Sequence, residues 1–353
     1  MTESPLRPRT SARDLLITTG TVVAALALAR AAARKRRRID LRGKVAVVTG
    51  GSRGLGLVLA RELVREGARV AICARDEAEL DRARTQLERS GATILTAACD
   101  VTSRDQVDAM LARVRERLGP VDILINNAGI IQVGPMDEMT AEDYENALRV
   151  HFWGPLFTTL GVLPEMRRRR AGRIVNIASI GGKISIPHLL PYSASKFALV
   201  GFSEGLRGSL AGDGIYVTTV CPGLMRTGSP RNAWFKGRHR EEFAWFSIGD
   251  ALPVVSMAAT RAARRILDAC RDGDAELTMP FSAFLAIKLN GLFPGIGADV
   301  VSLAERLLPG PGGIGCDMRL GSESESGWSP SVLTKLGDEA AARNNELVRT
   351  PMD

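Results

Sequence analysis

Cysteine is scarce and scattered in this 353-residue chain. Cys73, Cys99, Cys221, Cys270 and Cys316 are odd in number, widely spaced and free of any C-x-x-C pair. That pattern argues against a disulfide framework and a zinc cluster, and points to a reducing compartment. No metal site is expected. Extremes of composition are also missing: 45% of the residues are hydrophobic and 24% charged, near globular averages, which excludes a disordered chain and a polytopic membrane protein. No internal repeat is present. The net charge of +8 is largely local, in Arg34, Lys35, Arg36, Arg37 and Arg38 and in Arg167 to Arg170. Neither cluster has interleaved aromatic residues, so a nucleic-acid partner is not expected.

Long apolar runs are few. Leu15 to Ala29 carries no charge, and extension to Ala33 gives roughly 28 Å of helix at about 1.5 Å per residue. That is nearly the ~30 Å of a bilayer core. Residues 15–33 are therefore a candidate membrane anchor, with the basic cluster after them holding everything that follows in the cytoplasm. Two alternatives stay open. One is a helix packed on the protein or a partner, leaving a soluble cytoplasmic chain. The other is a cleavable signal with Arg7, Arg9 and Arg13 in its n-region, which five basic residues after the cleavage site oppose.

From Lys44 to Pro280 short β-branched runs alternate with amphipathic stretches, as in a parallel sheet covered by helices on both faces. Strands are expected at Val45–Thr49, Val70–Cys73, Thr93–Ala98, Ile123–Asn126, Ile174–Ala178, Tyr216–Cys221 and Ala275–Met279. Leu55–Glu66 and Glu77–Ser90 read as helices, the second with Leu80, Ala83 and Leu87 on one face. The fold class is α/β, a doubly wound seven-stranded sheet. Residues 1–40 form an N-terminal tail, 41–280 the main domain with a substrate lobe at 224–250, and 281–353 a helical extension with a polar tail.

Thr49-Gly50-Gly51-Ser52-Arg53-Gly54-Leu55-Gly56 joins the first strand to the first helix, where glycines let a backbone approach a pyrophosphate and free N–H groups favour its charge. Asn126-Asn127-Ala128-Gly129 ends the fourth strand, Ser179 ends the fifth, and Tyr192-Ser193-Ala194-Ser195-Lys196 opens a helix. Carrying T-G-x-x-x-G-x-G, N-N-A-G and Y-x-x-x-K in order, Lys44 to Pro280 resembles the short-chain dehydrogenase/reductase family, in its non-extended branch. The resemblance implies a Rossmann-like sheet of order 3-2-1-4-5-6-7 and a nicotinamide cofactor across the carboxyl ends of the strands. It implies cofactor contacts from Gly50, Ser52, Arg53, Gly54, Leu55 and Gly56, from Asp100 and Val101, from Asn127, Ala128 and Gly129, and from Pro222, Gly223 and Thr227.

Tyr192 and Lys196 share a helix face, so the ammonium can favour the phenolate and bring the tyrosine toward working pH. Tyr192 is expected to be the general acid in ketone reduction and the base in alcohol oxidation. Ser179 would hold the substrate oxygen. By resemblance Lys196 also holds the nicotinamide ribose, and Tyr192 contacts the cofactor. The family's fourth catalytic residue, an asparagine, is replaced here by His151, which either keeps a proton relay or is a core histidine satisfied by backbone. At the end of the second strand, Ala74 stands where an NAD enzyme carries an acid. Arg75 follows, and Arg53 lies in the loop, which favours NADP(H) over NAD(H). Asp76 is expected to cap the next helix.

Trp234, Phe235, Phe243, Trp245 and Phe246 crowd the lobe, either to receive a large apolar substrate or to pack the lobe itself. Phe281 to Phe293 and Ile296 to Leu308 are expected to dock on the core, with covering the active site, lying on a membrane or meeting another subunit as alternatives. The tail beyond Gly313 is expected to be loosely ordered or an extended arm. The reading is an NADP(H)-dependent oxidoreductase interconverting a lipophilic secondary alcohol and ketone, as a homodimer or tetramer. Its rivals are a catalytically weak NADP-binding regulator on the same fold and an NAD-dependent alcohol dehydrogenase.

Overall fold

The computed structural model describes residues 12–89, 91–252, 256–327, 329, 331 and 334–347. Ser90 and the parts of the expected tails at 1–11 and 348–353 lie outside the described residues. The chain separates into two compact units, Met1–Ile39 and Asp40–Asp353.

In the first unit, helix α1 spans Ala12–Arg37. No helix among the described residues is long and apolar enough to cross a membrane. The expected anchor at residues 15–33, and the membrane partner with it, thus finds no support among the described residues.

The second unit is built on a seven-stranded parallel sheet: β1 Val45–Thr49, β2 Arg69–Ala74, β3 Ile94–Ala98, β4 Ile123–Asn126, β5 Gly172–Ile177, β6 Ile215–Pro222 and β7 Glu276–Met279. Their spatial order is β3-β2-β1-β4-β5-β6-β7. The order reverses beside β1, so the crevice expected of a doubly wound sheet opens at the carboxyl ends of β1 and β4. Pairing in register, Val48 with Ile72 and with Ile125, aligns those ends. The central strands β1, β4 and β5 are wholly buried, which is why they read as continuous apolar runs without alternation.

Helices α2 (Gly54–Arg65) and α9 (Ala259–Asp272) pack together on one side. On the other lie α4 (Arg104–Leu118) and α6 (Gly154–Arg169), whose Val107, Leu111, Val114, Val162 and Met166 close over Leu124 and Ile174. Truncating fully buried Leu111 to alanine would cost about 2–5 kcal/mol. Asp76 caps α3 (Glu77–Glu88) by accepting the Glu79 N–H at 2.8 Å.

Helix α7 (Leu190–Leu210) follows β5, and α8 (His239–Ala251) covers the lobe after β6. Gln132–Val133, Trp234–Phe235 and Arg319–Leu320 form a small second sheet. Helices α10 (Phe281–Leu292) and α11 (Pro294–Glu305) pack on each other, but only Ala283 is buried. Most of their apolar surface is exposed, so the expected docking on the core is limited to one edge of α10 and the end of α11. The tail differs the other way. Instead of an extended arm, it returns through Arg319–Leu320 to α12 (Lys335–Arg343), where Ala340 and Ala341 are buried.

Candidate active site

The loop between β1 and α2 is held by backbone proximity that only glycine permits. A side-chain carbon at Gly56 would lie 2.0 Å from the Gly50 carbonyl oxygen. Asn127 fixes the other side of the turn. Its Nδ2 donates to the Thr49 and Gly50 carbonyls, both at 3.1 Å, while Thr49 Oγ1 accepts the Asn127 and Ala128 N–H groups at 3.0 and 3.1 Å. The N-N-A-G segment therefore shapes the glycine loop.

Below the cleft a buried polar chain crosses the sheet. Thr158 donates to Asn126 Oδ1 at 2.7 Å, Asn126 to Asn176 Oδ1 at 2.9 Å, and Asn176 to Ser203 Oγ at 3.0 Å. Each buried amide thus finds a partner, as its burial demands.

Ser179 sits at the carboxyl end of β5 with its Oγ accepting the Gly181 N–H at 3.0 Å. The Tyr192 ring and the Ser179 hydroxyl are neighbours beside Gly181 on the cavity wall. Lys196, one turn along α7, donates from Nζ to the Ile177 carbonyl at 2.9 Å and lies 5.5 Å from the Tyr192 ring centroid. Burial pushes the lysine down to about 7. It also pushes the tyrosine up, with neighbouring Ser179 opposing. The expected lowering of Tyr192 by its lysine does not prevail, because burial is the largest influence on the phenol.

His151 lies in a π-helical turn, Arg149–Trp153, between α5 (Ala141–Leu148) and α6. It is buried, and its ring meets Tyr192 edge-on at 5.3 Å. The Ile130 N–H donates to Nε2 at 3.1 Å, which fixes the proton on Nδ1. Nδ1 then donates to Ser195 Oγ at 2.7 Å, and Ser195 donates to the Tyr192 carbonyl at 2.8 Å. Burial and the Lys196 charge push the histidine well below its ordinary value. It is a neutral residue with both nitrogens engaged.

These groups line one cavity of about 810 Å³ together with every expected cofactor contact except Gly56, which lies behind the loop. Arg53 is bound to Glu79 at 3.0 Å, and Ser52 Oγ donates to the same carboxylate at 2.9 Å. Arg75 is exposed at the rim. Asp100 Oδ1 accepts the Thr102 N–H at 2.9 Å, placing Val101 against Gly154. Gly223 is fixed by its N–H to the Met279 carbonyl at 2.7 Å, and Thr227 Oγ1 lies 2.5 Å from Ser229 Oγ.

The lobe aromatics divide. Phe235, Phe243 and Phe246 are buried in the lobe's own core with Val133 and Leu189, while Trp234, Trp245 and one side of Phe246 and Leu189 line the cavity. His188 ties the lobe to α11, with Nδ1 2.8 Å from Glu242 and Nε2 3.4 Å from Glu305.

Several lining residues escaped sequence reasoning: Glu79, Asp250, Ser282, Ala286 and Glu346. Burial pushes Asp250 up to about 8, and its Oδ2 has no hydrogen-bond partner among the described residues. Glu79 carried a local signal, since the first turn of α3 follows the β2 end. The others come from segments brought in by tertiary folding.

Comparison with known proteins agrees with this geometry. Residues 44–235 match the family model described as short chain dehydrogenase. A candidate ketoacyl reductase of Streptomyces coelicolor is 44% identical over 186 residues, covering 52% of this chain and 71% of the relative. Gluconate 5-dehydrogenase of Gluconobacter oxydans is 36% identical over 188 residues, 53% of this chain and 73% of the relative. Among solved structures, a variant of actinorhodin polyketide ketoreductase with NADPH superposes with a TM-score of 0.61 at 35% identity, covering 67% of this chain and 95% of that one. L-Sorbose reductase from Gluconobacter frateurii, complexed with NADPH and L-sorbose, gives 0.61 at 27%, covering 68% and 97%.

Proposed function

Since this chain belongs to the short-chain dehydrogenase family and is an oxidoreductase of that family, we propose that it reduces a lipophilic ketone to a secondary alcohol with NADPH. The observation that carries the reading is the Ser179–Tyr192–Lys196 cluster in the same cavity as the glycine loop.

The cavity fits a dinucleotide. It runs from Arg53, Arg75 and Asp100 at one end, past Gly50, Gly54, Asn127 and Gly129, to Lys196 and Thr227 at the other. Arg75 and Arg53 supply guanidinium groups for a 2′-phosphate, and no acid stands at Ala74 to claim ribose hydroxyls. NADPH in two neighbouring structures supports the same choice. Bound there, the reduced nicotinamide would supply a hydride to the carbonyl carbon.

The protein's own residues do the rest. Ser179 Oγ and the Tyr192 hydroxyl, neighbours on the cavity wall, converge on the carbonyl oxygen. As negative charge develops on that oxygen, Ser179 stabilises it and Tyr192 transfers its proton. A tyrosine pushed up by burial starts protonated, as an acid must. Lys196 stabilises the phenolate that remains. His151 positions the Tyr192 backbone through Ser195. The lipophilic substrate class is supported by Trp234, Trp245, Phe246 and Leu189 on the cavity wall and by the ketoacyl reductase relative.

NADPH oxidation against ketones of increasing size tests the proposal. Bulky ketones should turn over faster than small polar ones, and NADPH should be preferred to NADH. Tyr192→Phe should lose about 10²–10⁴ in turnover while still binding NADPH. Equal turnover in that variant would overturn the assignment.

A further inference from the structure

The segment after α12 lies across the cofactor cleft and is bonded to both of its lips. On the glycine-loop side, the Asn344 carbonyl accepts the Gly54 N–H at 2.9 Å. Asn345 donates from Nδ2 to the Ser52 carbonyl at 2.9 Å and to the Glu79 carbonyl at 3.1 Å, and its Oδ1 accepts from Arg82 Nε at 3.0 Å. On the lobe side, Asn344 Nδ2 donates to the Thr227 carbonyl at 3.2 Å. Asn232 Nδ2 donates to Glu346 Oε2 at 2.6 Å and to its carbonyl at 3.0 Å.

The Glu346 carboxylate is buried and pressed on the loop. Its Oε2 lies 3.6 Å from Arg53 Nε, and its Oε1 would be 2.5 Å from a side-chain carbon at Gly54. Ser52, Arg53 and Gly54 on one lip and Thr227 on the other are among the groups expected above to contact the cofactor. Three consecutive residues therefore bridge the cleft where a long, doubly anchored ligand must pass.

We propose that Asn344, Asn345 and Glu346 belong to the cofactor site as a strap, and that the dinucleotide enters and leaves only when these residues unlatch from one lip. The proposal rests on the dinucleotide reading of the cleft. It concerns residues outside the 44–235 match to the family model. A strap of this kind has a kinetic signature. Cofactor passes only through the open form, so weakening a latch that is present in free and bound enzyme raises association and dissociation rates by one factor. Affinity then changes little. A residue that merely touches the ligand would raise the dissociation rate alone.

Asn345→Ala removes three hydrogen bonds at once, and its tertiary partners are all on the glycine-loop lip. Stopped-flow mixing of the full-length protein with NADPH, followed by energy transfer from Trp234 and Trp245, should show both rates about tenfold or more higher than wild type. The dissociation constant should stay within about threefold. Arg82→Ala, which removes one partner from the first half of the latch and leaves the strap intact, should move both rates the same way by a smaller factor. Unchanged rates in both variants, or a rise in dissociation alone, would overturn the strap. Absence of NADPH binding by the wild type would instead overturn the cofactor reading, and the strap with it.

Discussion

His151 is uncharged by construction. The Ile130 N–H occupies Nε2, Ser195 takes the Nδ1 proton, and burial holds the ring well below its ordinary value. A residue that stays neutral across the working range cannot shape a pH profile there. His151→Asn should therefore leave the acid limb of kcat between pH 5.5 and 7.5 where it was, and lower unfolding stability by about 1–3 kcal/mol through the partners it leaves unpaired. A moved limb in the pH–rate profile would restore the relay role. Residues of this kind were legible as types and positions. Ser179, Tyr192 and Lys196 announce themselves by spacing, because a helix puts i and i+4 on one face. The tautomer of His151 was not legible, since it depends on a backbone N–H twenty-one positions away. Nor was the direction of the Tyr192 shift, which burial in the folded chain sets.

At the scale of elements, β4 and β5 are joined by more than their ladder. The Asn126–Asn176 pair and its Thr158 and Ser203 partners form a buried chain in which each amide depends on the next. Asn176→Leu would strand the Asn126 Nδ2, and should cost about 2–5 kcal/mol in urea unfolding. The α10–α11 pair behaves oppositely. Leu289 and Leu292 are 48% and 70% exposed, so Leu289→Gln with Leu292→Gln should change stability by no more than about 0.5 kcal/mol each and reduce binding of a hydrophobic dye. The apolar pattern of these helices was plain in sequence, but it marks only which face avoids water. Whether that face meets the core is decided by what else competes for the same space.

For the whole molecule, buried ionisable groups set how stability follows pH. Asp250, pushed up to about 8, holds a proton in the folded chain that the unfolded chain releases above about pH 4. The folded state thus binds the extra proton between those values, and the Asp250 contribution falls as pH rises from about 4 to about 8. Asp250→Asn should remove that slope, raising the melting temperature at pH 7.5 by a few degrees, with the gain shrinking toward pH 4. Thermal melts across that range check it.

The sequence by itself determined the doubly wound sheet, its strand limits to within two residues, the glycine loop and the tyrosine–lysine pair. These follow from short-range rules: alternation of strand and helix, the steric freedom of glycine, and the helical repeat. Only the tertiary structure decided what the tail does: a polar segment without a recognisable pattern returns to lie across the cofactor cleft. Asn344, Asn345 and Glu346 gain their meaning from Ser52, Gly54 and Glu79, over two hundred and sixty residues earlier. Hydrogen bonds at that separation leave no periodicity in the chain, because the fold, and not the local backbone, brings the partners together.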